Sequence, residues 1–124
     1  MRIITDHKLN GLNDAIEITA IDDPGPGGAN HNYCVVLHPP GRPSFHIGQV
    51  VFQNGPIATP ADMNGLTNEA LLAVLIDRMR GFQSGQFKCR ENAIALTHLE
   101  DALHWLQHRT RQRMQRGVEG TLQP

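Results

Sequence analysis

The pattern of apolar and polar positions divides the chain near Gly65 into a β-rich half and a helical half. The stretch "AIEITAID", residues 15–22, alternates apolar and polar side chains with a period of two, which predicts a half-buried strand. Two further stretches are rich in β-branched and apolar residues: "NYCVVLH" (32–38) and "FHIGQVVFQ" (45–53). Asn54-Gly55 follows the last of them and is typical of a tight turn. Three or four antiparallel strands are predicted.

After Gly65 the apolar side chains recur at helical spacing. Thr67 is a good N-cap, and a first helix is predicted from about Asn68 to Phe82. A second helix is predicted from about Arg90 to Arg116, ended by Gly117. At ~1.5 Å per residue the second helix is ~40 Å long, which is longer than a small domain is wide. Part of its apolar stripe is therefore expected to pack against another subunit.

These elements predict an α+β fold: a small N-terminal antiparallel β-sheet followed by a long C-terminal helical hairpin, in an oligomer. Residues 1–66 would form the β-rich part with a glycine loop, and residues 67–124 the helical hairpin and tail, together making one structural unit. Residues 1–66 hold eight of the twelve glycines and seven of the eight prolines, which supports this boundary.

Composition indicates an ordinary soluble domain. Hydrophobic residues make up 40% and charged residues 19% of the 124 positions. The net charge of −1 gives no overall positive potential that would attract long nucleic acid. Two cysteines do not make a disulfide framework. No apolar run reaches the ~20 residues that span a bilayer, and the N-terminus lacks the layout of a signal peptide. The expectation is a cytoplasmic protein without a membrane partner.

Positive charge is concentrated near the end of the chain, in "RTRQRMQRGVEGT", residues 109–121. Residues 105–124 contain four arginines and one acidic residue, Glu119. Three of these arginines share one face of the predicted helix: Arg109, Arg113 and Arg116. They suit a phosphate clamp, because guanidinium groups pair with phosphate oxygens in a bidentate way. The alternative is a solvated last turn whose cations complement the helix dipole.

Two loops are further candidates for ligand binding. The loop "PGPGGANH", residues 24–31, could present backbone N–H groups to an anion, although it lacks the spacing of a P-loop or a dinucleotide fingerprint. Its candidate residues are Gly27, Gly28, Ala29 and Asn30. In the turn between the helices, Phe82 suits either core packing or stacking on a base. Asn92 suits either helix capping or ligand recognition.

Catalytic and metal-binding residues are not predicted. Glu100, His104 and His108 are spaced four apart on one helix face, but their side chains diverge along ~12 Å of axis, so a solvated polar face is favoured over a zinc site. No Cys–His pair and no Ser–His–Asp order suggests nucleophilic catalysis. The expectation is a protein that is not an enzyme and uses no cofactor.

Four stretches together resemble the phage Thoeris anti-defence sponge proteins, the first type described: "FQNGPI", "GFQSGQFKCREN", "LEDALHWLQHRT" and "RGVEGT". The glycine loop and the first strand are also similar, so the resemblance covers most of residues 10–121. It implies a phage protein that acts in the host cytoplasm and holds cyclic ADP-ribose isomers, the signals of bacterial TIR-domain immune proteins, without cleaving them. Some members also bind cyclic di- or trinucleotides of the CBASS pathway.

The resemblance also implies an assembly and a ligand site. Members form dimers that are V-shaped, some assembled further into hexamers, with two ligand pockets per dimer at the subunit interface. Carried over to this chain, Phe82 and Arg109 would sandwich the adenine, and Asn92 would hydrogen-bond the ligand.

Further ligand contacts are extrapolated from chemistry alone. Arg113 and Arg116 would bind the phosphates, and the glycine loop would cover them with backbone N–H groups. Glu119 would either accept from ribose hydroxyls or pin the arginines. Two rival functions are a small nucleotide- or nucleic-acid-binding module that uses the C-terminal arginine cluster, and a hydrolase that degrades a cyclic nucleotide.

Overall fold

The computed structural model describes all 124 residues, which form two compact units, Met1–Gly65 and Leu66–Pro124. The first unit is built on a sheet and the second on two long helices. The predicted α+β fold, with an antiparallel sheet before a helical hairpin, is confirmed. No helix contains a stretch that is long and apolar enough to cross a lipid bilayer.

The sheet has four antiparallel strands in chain order. They are β1 (Arg2–Ile4), β2 (Ile16–Ala20), β3 (Asn32–Leu37) and β4 (Phe45–Val51). The predicted alternation along β2 places Ile18 opposite Val35 of β3, and Ala20, which is fully buried, opposite Tyr33. Partners in a ladder share a face, so apolar residues of adjacent strands line one face of the sheet.

Two short elements that precede β2 were missing from the sequence prediction. They are β1, which pairs with β2, and helix α1 (Gly11–Ala15), which is capped by Asn10 through a 3.1 Å hydrogen bond from Asn13 N to Asn10 Oδ1. Elements of three and five residues are too short to show a periodicity of their own. Instead, β1 is stabilised by its pairing with β2, and α1 by the cap from the Asn10 side chain.

The segment after β4 is a loop held by side chains rather than a hairpin turn. Gly55 has a φ of 91°, as expected for a turn, but no strand follows it. Asn64 N donates to Gln53 Oε1 (2.9 Å), and Gln53 Nε2 donates to Asp62 O (2.9 Å). The side chain of Asn64 also bonds both main-chain groups of Asn54, at 2.8 Å each. These bonds give residues 53–64, the Asn54 loop, a fixed shape.

The helical unit consists of α2 (Asn68–Gln83) and α3 (Arg90–Arg116). The predicted caps are present: Thr67 Oγ1 accepts a hydrogen bond from Ala70 N at 3.1 Å, and Gly117 adopts the left-handed conformation with a φ of 71°. The two helices pack on each other, and Ile76 of α2 is 2% exposed. It is the one buried apolar side chain of this unit.

Large apolar side chains remain exposed along both helices. They include Val74 and Trp105, each 64% exposed, and Met114, also 64% exposed. Burial of such side chains is the main driving force of association, so these surfaces favour contact with another polypeptide.

Candidate functional site

Phe82 lies one residue before the end of α2 and is half-buried. The guanidinium carbon of Arg78, one helical turn earlier, lies 4.9 Å from the centre of the Phe82 ring. At this distance the cation is attracted to the face of the ring. One face of the Phe82 ring is therefore covered by Arg78.

Asn92 lies in the first turn of α3, where the sequence left open a capping or a ligand-binding role. Cys89, a free thiol, is the cap: its Sγ accepts a hydrogen bond from Asn92 N at 3.4 Å. The half-buried side-chain amide of Asn92 makes no hydrogen bond within the chain. Because the capping role is taken by Cys89, the amide is free to recognise a ligand.

Arg109 is exposed and makes no hydrogen bond or ion pair within the chain. It lies 17 residues after Asn92 on the same uninterrupted helix, a separation of about 26 Å along the axis at ~1.5 Å per residue. A ligand the size of a dinucleotide cannot bridge that distance. A single chain therefore does not bring Asn92 and Arg109 together.

Arg113 is 5% exposed and is enclosed by residues 117–124, the tail. Its Nε donates to Glu119 Oε2 at 3.0 Å. Each Nη donates to two main-chain oxygens of the tail, which are those of Gln123, Pro124, Val118 and Thr121, at 2.6–3.1 Å. All five N–H groups of the guanidinium are thus used. This arrangement, the Arg113 clasp, holds the tail against the end of α3.

The other predicted phosphate contacts of the helical unit are also involved in the tail. Arg116 Nη2 donates to Pro124 O at 2.6 Å. The Glu119 carboxylate forms an ion pair with Arg113. Holding an arginine in place was one of the two roles predicted for Glu119. Within one chain, Arg109 is the member of the predicted arginine face that no tail group engages.

The glycine loop has a defined shape. Gly27 and Gly28 have φ values of 81° and 86°, which favour glycine. Gly28 N donates to Gly25 O at 3.0 Å, and Gly25 N donates to Ala29 O at 2.8 Å. The N–H groups of Gly27, Ala29 and Asn30 have no partner in the chain. Three of the four predicted anion-binding amides are therefore available.

Asp22 fixes the base of the glycine loop. Its carboxylate accepts from His31 N (2.9 Å) and Asn32 N (3.2 Å), and its main-chain oxygen accepts from Asn30 Nδ2 (2.7 Å). Desolvation raises the pKa of Asp22, but the hydrogen bonds from His31, Asn32 and Asn30 outweigh it, so that pKa lies below its ordinary value near 3.8. Hydrogen bonds from the Thr59 and Ala58 amides likewise lower the pKa of Asp62 in the Asn54 loop.

These two carboxylates make the stability of the sheet unit pH-dependent. A lowered pKa in the folded state contributes stability that is present above the unfolded value and is lost as the pH falls through the folded value. As the pH is lowered below about 3.8, the free energy of unfolding is therefore expected to decrease. Urea unfolding followed by circular dichroism should show that Asp22→Asn is destabilised at neutral pH, and that its difference from wild type shrinks on acidification. Asp23→Asn, which alters an exposed carboxylate without hydrogen bonds, is the control. A difference independent of pH would contradict the expectation.

The histidines of α3 form an aromatic cluster around an exposed tryptophan. The Trp105 ring lies edge-on to His104 (5.5 Å between ring centres) and to His108 (5.7 Å). No group of three His, Cys, Asp or Glu side chains is close enough to hold a metal ion. Glu100, His104 and His108 are all exposed, so this face of α3 is accessible to solvent, and the exposed Trp105 ring adds an apolar patch beside the two histidines.

Sequence reasoning missed a cavity of about 260 Å³ in the sheet unit. It is lined by residues of the glycine loop, the end of β4 and the Asn54 loop: Asp22, His31, Asn32, Val51, Phe52, Asn54 and Asn64. His31 and Asn32 each also have one buried atom without a hydrogen-bond partner in the chain, His31 Nε2 and Asn32 Oδ1. The cavity is formed by segments that are far apart in the sequence, so no local sequence motif indicates it.

A family model described as Acb2/Tad1, hairpin domain, matches residues 48–111, which is more than half of the chain. The chain belongs to this family. The Acb2/Tad1 match spans the end of β4, the Asn54 loop, α2 and most of α3, and it includes Phe82, Asn92 and Arg109. The glycine loop, Arg113, Arg116 and Glu119 lie outside it.

The chain is also similar to a protein of Bacillus phage SBSphiJ7 named Thoeris anti-defense 1. The two are 53% identical over 75 residues, which cover 60% of this chain and 52% of that protein. The matched segment thus spans about half the length of the relative. Membership of the Acb2/Tad1 family and this similarity confirm the resemblance to the Thoeris anti-defence family.

Proposed function

We propose that this protein is a phage anti-defence sponge that binds cyclic ADP-ribose isomers and sequesters them without cleavage. Family membership and the similarity to Thoeris anti-defense 1 support the anti-defence role. In this proposal Phe82 stacks on one face of the adenine, Arg109 of the partner subunit stacks on the other, and Asn92 hydrogen-bonds the ligand.

The observation that carries the proposal is the separation of about 26 Å between Asn92 and Arg109 along α3. Both side chains are free of partners within the chain. They can act on one small ligand only if the two residues come from different subunits. The exposed apolar side chains of both helices, Val74 and Trp105 among them, provide surface for such a dimer. A hexamer would be assembled from these dimers.

The distribution of charge favours a small anion over long nucleic acid. The helical unit has eight Lys/Arg against six Asp/Glu, and the sheet unit has three against six. Arg113 is enclosed by its own tail, so the C-terminal arginines do not form a continuous strip that could follow a phosphate backbone. Binding to long DNA or RNA needs such a strip and weakens steeply with salt.

The required affinity is compatible with these groups. A sponge must bind near nanomolar, about 12 kcal/mol. Stacking of a base contributes about 1–3 kcal/mol, and each hydrogen bond to a charged group about 1.5–3 kcal/mol. A pocket closed by two chains can combine several such contacts, whereas one exposed arginine on a single helix cannot.

Native mass spectrometry with a panel of cyclic ADP-ribose isomers and cyclic oligonucleotides tests the proposal. The expected result is an oligomer that binds two signal molecules per dimer. A monomer of about 14 kDa without ligand would overturn it. Filter binding of DNA or RNA at ~150 mM salt distinguishes the nucleic-acid-binding alternative.

The bound signal is expected to return chemically intact. Cleavage of a phosphodiester or glycosidic bond needs a positioned base or nucleophile, and arginine is protonated at neutral pH. Phe82, Asn92 and Arg109 therefore bind without supplying a base. The protein, in slight excess, is incubated with a cyclic ADP-ribose isomer until free ligand disappears, then denatured by heat, and the filtrate is analysed. Full recovery that reactivates a TIR-pathway effector is expected, whereas linear ADP-ribose would show an enzyme.

A further inference from the structure

We propose that Ser44 of the sheet unit is a nucleophile that accepts an acyl group from an activated ester, with His38 as its base. Glu17 lies beside that base and orients it. This reaction goes beyond the proposed function, since all three residues belong to the sheet unit and none of them is assigned to the binding of the signal. The three residues lie on separate segments of the chain, so no sequence motif indicates the cluster.

The register of the sheet brings the three side chains together on one face. His38 directly follows β3 and Ser44 directly precedes β4, and the last residue of β3 pairs with the first residue of β4. The two side chains therefore meet across the end of this ladder. Glu17 of β2 is opposite Val36, which is two residues before His38. Side chains two residues apart on a strand point to the same face, so Glu17 lies diagonally from His38.

The contacts of the cluster have the order that a nucleophile and its base require. His38 Nδ1 lies 2.5 Å from Ser44 Oγ, and His38 Nε2 lies 3.6 Å from Glu17 Oε1. When the Ser44 hydroxyl donates to Nδ1, the hydrogen of the neutral ring is on Nε2, where the Glu17 carboxylate attracts it. That tautomer leaves Nδ1 free to take a proton from the serine.

The loop between β3 and β4 restricts the position of Ser44. Arg42 N donates to Pro39 O at 3.3 Å, which closes a turn with Pro40 and Gly41 at its centre. Gly41 has a φ of 70°, and a proline followed by such a glycine is favoured in a type II turn. Residues 39–43 contain three prolines, whose fixed φ angles limit the conformations of the loop further. The hydroxyl is therefore held near its base before any ester binds.

The cluster fits the transfer of an acyl group from a thioester or an aryl ester. Ser44 and His38 are exposed, so a small ester can reach the hydroxyl. Ser44 Oγ attacks the carbonyl carbon and forms a new ester bond, while the bond to the thiolate or aryloxide leaving group breaks. His38 Nδ1 takes the hydroxyl proton and passes it to the leaving group, which leaves the ring neutral again. The Ser44 N–H has no partner within the chain and can donate to the carbonyl oxygen as its negative charge develops.

Acetylation of the full chain by p-nitrophenyl acetate tests the proposal, because the chain contains two serines, Ser44 and Ser84. Both are exposed, but Ser84 Oγ donates to Gly81 O at 2.8 Å and has no histidine partner. Peptide mass spectrometry should show that Ser44 is acetylated about tenfold faster than Ser84, or more. In concentrated urea the two rates should become equal, because unfolding separates Ser44 from His38. Equal rates in the folded chain would overturn the proposal.

His38→Gln separates the action of a base from simple exposure of the serine. Glutamine can hydrogen-bond the hydroxyl but cannot take its proton, so acetylation of Ser44 should fall to the rate of Ser84. His46→Gln is the matched control, because His46 lies on the same face, opposite Val36, and it should leave the rate unchanged. An unchanged rate in His38→Gln would also overturn the proposal.

Glu17 acts through His38, so its charge rather than its size should matter. Glu17→Gln keeps the size and removes the charge, and acetylation of Ser44 should slow about two- to fivefold, as expected for an exposed ion pair. Glu17→Asp keeps the charge and should retain more of the rate; the reverse order would overturn the role of Glu17. Cyclic ADP-ribose isomers contain no acyl group, and His38→Gln should bind them as wild type does. Failure of this site and failure of the proposed function are therefore distinguishable.

Discussion

Co-assembly of the Phe82→Ala and Arg109→Ala variants is expected to restore ligand binding that each variant alone has lost. Alone, each substitution removes one side of the adenine stack and should weaken binding at least tenfold, about 1.4 kcal/mol. In a mixed dimer, Phe82 of one chain and Arg109 of the other still form one complete pocket, while the second pocket lacks both. This follows from the distance of about 26 Å along α3 between Arg109 and Asn92, which lies at the start of α3 across the turn from the end of α2, where Phe82 lies.

The measurement is calorimetric titration of mixed oligomers that are co-expressed with two tags and purified through both. They should bind with wild-type affinity at about half the wild-type stoichiometry. Arg111→Ala serves as the control, since Arg111 is exposed on another face of α3. If the mixed oligomers bind no better than the single variants, the pocket is not shared between subunits. Equal losses for Arg109 and Arg111 would indicate a diffuse charged surface.

Arg113→Ala is expected to release the tail from the end of α3. The substitution removes all five donors of the Arg113 clasp, whose acceptors are Glu119 and four main-chain oxygens of the tail. Without them the tail is held only by the bond from Arg116 Nη2 to Pro124 O and by the main-chain bonds of Gly117 and Val118 to α3. Hydrogen exchange of the Val118 and Thr121 amides should then accelerate at least tenfold, about 1.4 kcal/mol of local stability.

Arg113→Lys separates geometry from charge. A lysine keeps the charge but has one compact ammonium group, which cannot reach the same set of acceptors as the planar guanidinium. Intermediate protection of the tail is expected. Arg111→Ala should leave exchange unchanged, and wild-type protection of Val118 in Arg113→Ala would show that the tail is held by something other than the clasp.

The helical half could be predicted almost completely from the sequence. Long periodic segments with distinct ends specify helices strongly, and Thr67 and Gly117 mark such ends. The predicted second helix has the observed bounds, Arg90–Arg116, and the first extends to Gln83 rather than Phe82. In the sheet half, β2 was predictable from its alternation, whereas β1 depends on pairing with a strand that follows later in the chain.

The environment of the candidate residues was less predictable. Helical spacing places Arg109, Arg113 and Arg116 on one face, but it does not show that the tail folds back over two of them. A cysteine is a rare cap, so the sequence did not indicate that Cys89 would leave the Asn92 side chain free. The sequence pattern of a helix or strand predicts the face on which a side chain lies. The groups that the side chain contacts there depend on residues that are distant in sequence.

The side-chain hydrogen bonds of the Asn54 loop also influence which asparagine of the purified protein deamidates first. Asparagine followed by glycine deamidates readily, because glycine does not hinder attack of its main-chain nitrogen on the asparagine side chain. Asn10, Asn54 and Asn64 each precede a glycine. The side chains of Asn10 and Asn64 are held by hydrogen bonds, whereas that of Asn54 makes none. Deamidation should therefore begin at Asn54, and each event adds a carboxylate to the lining of the cavity.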